Sequence, residues 1–184
     1  MSDTLDVIVR RFACRAFTDE PVPHDTVRAI AEAGLRAPSA MNRQPWRLVL
    51  VEDKAVLDSI GEAGLEVLKQ CDQASYDRIV GRGGLLMYNA PAMIVLAEQP
   101  HDGPFSADID LGILASHVSL AATALGVDNC IAALPAMALQ GPAGADRARA
   151  IGVPDGFVAM LVVLLGHAAK PGTPHEPDPS KIIG

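Results

Sequence analysis

Apolar and small residues fall at Val27, Ile30, Ala31 and Gly34, the spacing of one helical face, with Pro23 suited to a first turn and Pro38 to a stop. The pattern then changes period. Arg47-Leu48-Val49-Leu50-Val51 is short, β-branched and apolar on both faces, which predicts a strand covered on both sides. Met93 to Leu96 and Val158 to Leu165 read the same way. Helical stretches are predicted near Lys54 to Ile79 and from Ala107 to Leu125, the second closed by Gly126 as a C-terminal cap, with a shorter one from Ala143 to Ile151 before Pro154. Strands and helices interleave and nothing repeats at a fixed period, so residues 1–184 are expected to form a single α+β domain.

After Gly166 the pattern fades. Pro171, Pro174, Pro177 and Pro179 stand among charged and small residues that cannot bury enough surface to fold alone. Residues 171–184 are therefore expected to be an extended tail, lying across a partner subunit or loose. The apolar stretch from Ile109 to Val127 is interrupted by Asp110 and His117 and reads as a buried helix rather than a membrane span.

Composition narrows the chemistry. Aromatic residues make up 4% against 49% hydrophobic, so a flat aromatic surface at a site would belong to a ligand. A formal charge of −7, without a clustered cationic face, argues against nucleic acid as partner. Cys14, Cys71 and Cys130 are odd in number and have no CxxC arrangement, which points to a reducing, cytoplasmic setting without a disulfide framework. The Met-Ser-Asp-Thr start lacks the basic and apolar regions of a secretory signal. His24, His101, His117, His167 and His175 never take metal-ligand spacing, so no metal is expected. Gly81-Arg82-Gly83-Gly84 lacks the frame of a nucleotide loop.

Two polar clusters stand out. Arg10-Arg11-Phe12-Ala13-Cys14-Arg15 places three guanidinium groups in six positions of an acidic chain, either an anion trap or a solvated basic turn. Pro38-Ser39-Ala40-Met41-Asn42-Arg43-Gln44 offers short neutral donors and acceptors that suit the edge of a heterocycle, or that are ordinary turn chemistry.

In this order the clusters resemble the opening of the nitroreductase family, which commonly shows Arg-x-Ser-x-Arg-x-Phe followed by Ala-Pro-Ser-x-x-Asn-x-Gln-Pro-Trp. Here Arg11 to Phe17 and Ala37 to Trp46 stand in those places, and Tyr88-Asn89-Ala90-Pro91, Ala124-Leu125-Gly126-Val127 and Ile151-Gly152-Val153-Pro154 are also similar. The resemblance implies a mostly antiparallel central sheet flanked by helices, in an intertwined homodimer with FMN at the subunit interface. Arg11 would hold the phosphate and Arg15 the pyrimidine side, with Arg10 assisting. Ala13 stands where the family has a serine hydroxyl. Pro38, Ser39, Asn42 and Gln44 would come from the neighbouring subunit, and Ala132 and Ala133 would present main-chain N–H to flavin N5. Lys170, His175 and Lys181 match no family position.

The implied function is an FMN-dependent oxidoreductase that carries reducing equivalents from NADH or NADPH to a nitroaromatic, quinone or flavin-like acceptor by a ping-pong cycle. No side chain would act as catalytic acid or base, and residues 54–86 would supply the lid that sets specificity. The alternatives are flavin breakdown or reductive dehalogenation on the same fold, a flavin-binding or storage protein, and a structural dimer without flavin.

Overall fold

The computed structural model describes residues 3–100 and 107–184; Met1, Ser2 and His101, which enter the sequence reading, lie outside them. The elements run α1 (Asp3–Arg10), α2 (His24–Gly34), β1 (Trp46–Val51), α3 (Lys54–Cys71), α4 (Gln73–Val80), β2 (Ala92–Glu98), α5 (Ala107–Ala124), β3 (Asp128–Ala132), α6 (Gly141–Ala150) and β4 (Val158–Gly166). The four strands lie in the order β1-β2-β4-β3, with every neighbouring pair antiparallel. This is the α+β architecture the hydrophobic pattern predicts.

An antiparallel sheet often has one wet face and alternating strands. Here helices cover both faces. Met93, Val95 and Ala97 of β2 join Leu57, Ile60, Val162 and Leu164 in one core, while Ile94 and Leu96 join Ile30, Trp46, Val118, Val163 and Leu165 in the other. All seven residues of β2 are buried, which explains runs without polar alternation. Full burial of one such side chain contributes about 1.5–3 kcal/mol.

Local signals set the boundaries, and some differ from expectation. The predicted helix from Lys54 to Ile79 is two helices, because Asp72 leaves helical geometry at φ −149 and ψ 83 and its carboxylate accepts from Ser75 N–H to start α4. Pro23 stands before the first turn of α2 rather than within it, and that helix ends at Gly34, short of Pro38. α1, which the pattern did not predict, buries none of its residues. Gly126 takes φ 76 beyond α5, the left-handed turn that glycine makes without strain, and Val127 N–H closes on Ala122 C=O at 2.9 Å. None of the described helices is long and apolar enough to cross a membrane.

The tail is tied down where it leaves β4. Phe17 and Ala168 form an antiparallel bridge, and Ala168 N–H donates to the Asp128 carboxylate at 2.8 Å.

Candidate functional site

The arginine cluster follows α1 as a ribbon stitched to the β3 edge of the sheet. Ala13 bridges Asn129 in parallel, Cys14 N–H donates to Asn129 C=O at 2.9 Å, and Phe17 N–H donates to Tyr88 C=O at 3.0 Å. Cys14 and Phe17 fill the core at 2% and 3% exposure. Arg15 is exposed and Arg11 half-buried. Among the described residues, none of Arg10, Arg11 and Arg15 is in an ion pair.

Asn129 is held in turn. Its side-chain oxygen accepts from Ser119 Oγ at 2.5 Å, and its amide donates to Ser119 C=O and Thr123 Oγ1, both at 3.1 Å. This buried network locks β3 against α5 and fixes the carbonyl that receives Cys14 N–H. Burial pushes the Cys130 thiol up, opposed in part by the charges of Arg15 and Arg11. Burial likewise raises Cys14. Both thiols are protonated and structural in this setting.

At the end of β3, Ala132 is half-buried and Ala133 exposed before the turn that begins at Leu134. Two methyl side chains leave the main chain open to a flat molecule. Ala13 carries no hydroxyl, and Arg10 lines a separate cavity of about 250 Å³ with Thr123, Asp128 and Asn129.

The second cluster is a short, strained loop. Ala40 N–H donates to the buried Asp110 carboxylate of α5 at 3.0 Å. Within the loop, Gln44 N–H donates to Ser39 Oγ, and Gln44 Nε2 donates to Asn42 Oδ1, each at 2.9 Å. Met41, Asn42 and Gln44 take φ of 53, 54 and 48. Such conformations cost on the order of 1 kcal/mol each, and they cluster where function demands a particular shape. Pro38, Asn42 and Gln44 are exposed and Ser39 is half-buried.

The two clusters do not meet within one chain. Trp46, which follows the loop, pairs with Glu98 and through it with Val158 at the start of β4, whereas Asp128 pairs with Gly166 at its end. Three strand spacings across and eight residues along put these corners about 30 Å apart.

The structure also gathers residues that sequence reasoning left aside. Lys170 and Thr173 line a cavity of about 270 Å³ with Ala13, Cys14 and Arg15. No spacing signal announces them, because the tail is brought there by pairing beyond β4.

A model of the nitroreductase family matches residues 8–167 of this chain. A nitroreductase from Desulfitobacterium hafniense with bound FMN is 41% identical, covers 100% of this chain and 98% of its own, and superposes with a TM-score of 0.93. The FMN-dependent nitroreductase NfnB from Mycobacterium smegmatis, in complex with NADPH, is 25% identical with a TM-score of 0.67, covering 91% of this chain and 88% of its own. An NADH dehydrogenase from Thermus thermophilus matches over 61 residues at 44% identity, 33% of this chain and 30% of that protein.

Proposed function

From the premise that this chain belongs to the nitroreductase family, we propose that it is an FMN-dependent NAD(P)H oxidoreductase acting as a homodimer with its cofactor between two copies. The observation that carries the reading is the separation of the two polar clusters: one chain offers cations without an ion-pair partner among the described residues at one corner of the sheet and a neutral hydrogen-bonding loop at the other. A second copy brings its loop to the first copy's arginines.

The outer helix surfaces support that assembly. α5 carries apolar residues beyond its core-facing stripe, a surface that helices normally bury. Yet Ile109 is 65% exposed and Ile113 and Leu120 are only half-buried. α1 adds Leu5, Ile8 and Val9, each about half exposed, next to α5. An interface along both helices removes this surface from water.

The residues present fit FMN. Arg11 offers the phosphate two aligned charge-assisted bonds, Arg15 reaches the pyrimidine edge, and Arg10 adds cationic field. Ala13 gives no hydroxyl, so the adjoining main chain takes that place. Ala132 and Ala133 are small enough for a ring to lie against the main-chain N–H of their turn. From the second copy, Ser39, Asn42 and Gln44 supply donors and acceptors to the ring edge, and Pro38 stiffens the loop that carries them. When bound, FMN supplies two-electron redox chemistry, so a nicotinamide and then a small organic acceptor use one pocket in turn, in ping-pong order. The protein's own part is to hold reactants at about 3–3.5 Å and to place a donor at N5, without a dedicated acid or base. Nitroaromatics, quinones and free flavins are the acceptors in view.

The test is the purified protein in solution. It is expected to be yellow and dimeric, to lose its visible band on adding NADH or NADPH under argon, and to regain it with a quinone or nitroaromatic. A colourless monomer that ignores added FMN refutes the proposal.

A further inference from the structure

Asp110 stands where an aliphatic residue is expected. The buried side of α5 carries Ala107, Leu111, Leu114, Ala115 and Val118, and Asp110 is the one ionisable group on it, at 4% exposure. A buried carboxylate costs free energy unless it is bonded where it lies, and among the described residues no cation pairs with it. The donor it holds is Ala40 N–H, 70 positions earlier in the chain, at 3.0 Å. That bond falls where the loop has least support of its own. Ala37 and Trp46 on either side are seated in the same core as α5, and at the foot of the loop Pro45 C=O accepts from Gln99 N–H at 2.8 Å. Between them Met41 to Gln44 are exposed, with left-handed φ at three of the four. The bonds from Gln44 to Ser39 and Asn42 stay inside the loop, so they fix its outline but not its place on the protein. Ala40 N–H to Asp110 ties that outline to a packed helix.

We propose that Asp110 is a positioning residue for the flavin site of the second copy: its carboxylate holds the loop from Pro38 to Gln44 in the placement in which Ser39, Asn42 and Gln44 meet the ring edge. The inference rests on the dimeric flavin reading given above. Asp110 acts through the loop and not on the ring. Donors already in place lose little freedom when the ring arrives, and that preorganisation appears as affinity. The loop lies about 30 Å from its own chain's arginines, so a fault at Asp110 damages the site whose arginines belong to the other copy. The site built on its own arginines receives the other copy's loop and is spared. A residue that served only the folding of its own chain would show no such crossing.

The experiment compares wild type, Asp110→Ala, Asp110→Asn and Arg11→Gln dimers for binding of FMN and of riboflavin, which lacks the phosphate. Asp110→Ala is expected to weaken both flavins by the same factor, about tenfold, the worth of one hydrogen bond to a charged group. Asp110→Asn keeps an acceptor oxygen for Ala40 N–H and recovers most of the loss, whereas Arg11→Gln weakens FMN more than riboflavin. Asp110→Ala and Arg11→Gln chains are then co-expressed with different affinity tags and the mixed dimer is isolated. One of its sites joins intact arginines to an intact loop, so the mixed dimer should hold about half the wild-type complement of tightly bound FMN and exceed both parents. If Asp110→Ala yields no dimer, Ala40→Pro decides under the same expectations: it removes the same N–H without touching α5, and Ser39, at φ −138 and ψ 158, suits the position before proline. A mixed dimer no better than its parents overturns the inference, as does an Asp110→Ala dimer that binds flavin like the wild type. A wild type that binds no flavin at all refutes the broader flavin reading, and this inference with it.

Discussion

Glu98 closes β2 with its carboxyl in the wrong surroundings. It is 7% exposed, its Oε2 has no hydrogen-bond partner among the described residues, and burial first, then the neighbouring Asp108, raises its carboxyl above the usual range. A carboxylate cannot donate to another carboxylate, so at neutral pH the two repel in a half-dry site. Glu98→Gln replaces the charge with a neutral amide able to donate to Asp108. An unsatisfied buried polar group costs about 1–3 kcal/mol, so a gain of about 1 kcal/mol is expected, or about 2–4 °C in Tm for a chain of this length. The gain depends on pH in one direction. Because the folded chain binds the Glu98 proton more tightly than the unfolded chain, the wild type's extra stability is complete below the unfolded value of about 4.3 and is lost as pH rises through the folded value. Thermal unfolding at pH 8 and pH 5 reads the effect: the advantage of the glutamine variant should be largest at pH 8 and shrink at pH 5. An equal difference at both pH values, or a variant less stable at pH 8, refutes the reasoning.

Two further outcomes check the packing. A methyl group added at Gly34 would lie 2.5 Å from Val118 Cγ2, so Gly34→Ala should destabilise by about 1–3 kcal/mol despite a helix-propensity gain of about 1 kcal/mol, and Val118→Ala in the same chain should recover most of the loss in urea unfolding. Greater stability in Gly34→Ala alone would mean that α2 and α5 do not approach so closely. Cys71 is exposed while Cys14 and Cys130 are buried with raised thiols, so a disulfide reagent should modify one thiol quickly and the other two only on unfolding. Two fast thiols in the folded protein would contradict the placement of the ribbon.

β1, β2 and β4 were legible because each is a short two-faced apolar run, and burial of both sheet faces preserves that signal at every position of β2; β3, which opens on Asp128 and Asn129, has no such run and was not predicted. The split at Asp72 was not, since no glycine or proline marks it and the break rests on one residue's backbone angles and a cap to Ser75 N–H. α1 escaped notice because its apolar stripe packs no core within the chain. Of the site, Arg11, Arg15 and the loop from Pro38 to Gln44 were visible as residue types, whereas Lys170 and Asp110 could be named but not placed, because their contacts exist only where distant segments touch.

Residue chemistry alone determined which stretches become helix or strand, the charge of the arginine ribbon and the neutrality of the loop, since these depend on neighbours within a few positions. Only the tertiary structure decided that ribbon and loop lie at opposite corners of the sheet and that the tail runs beside Arg15. Strand order and register are set by simultaneous packing on both faces of the sheet, a condition that couples residues far apart in the chain and leaves no periodic trace along it.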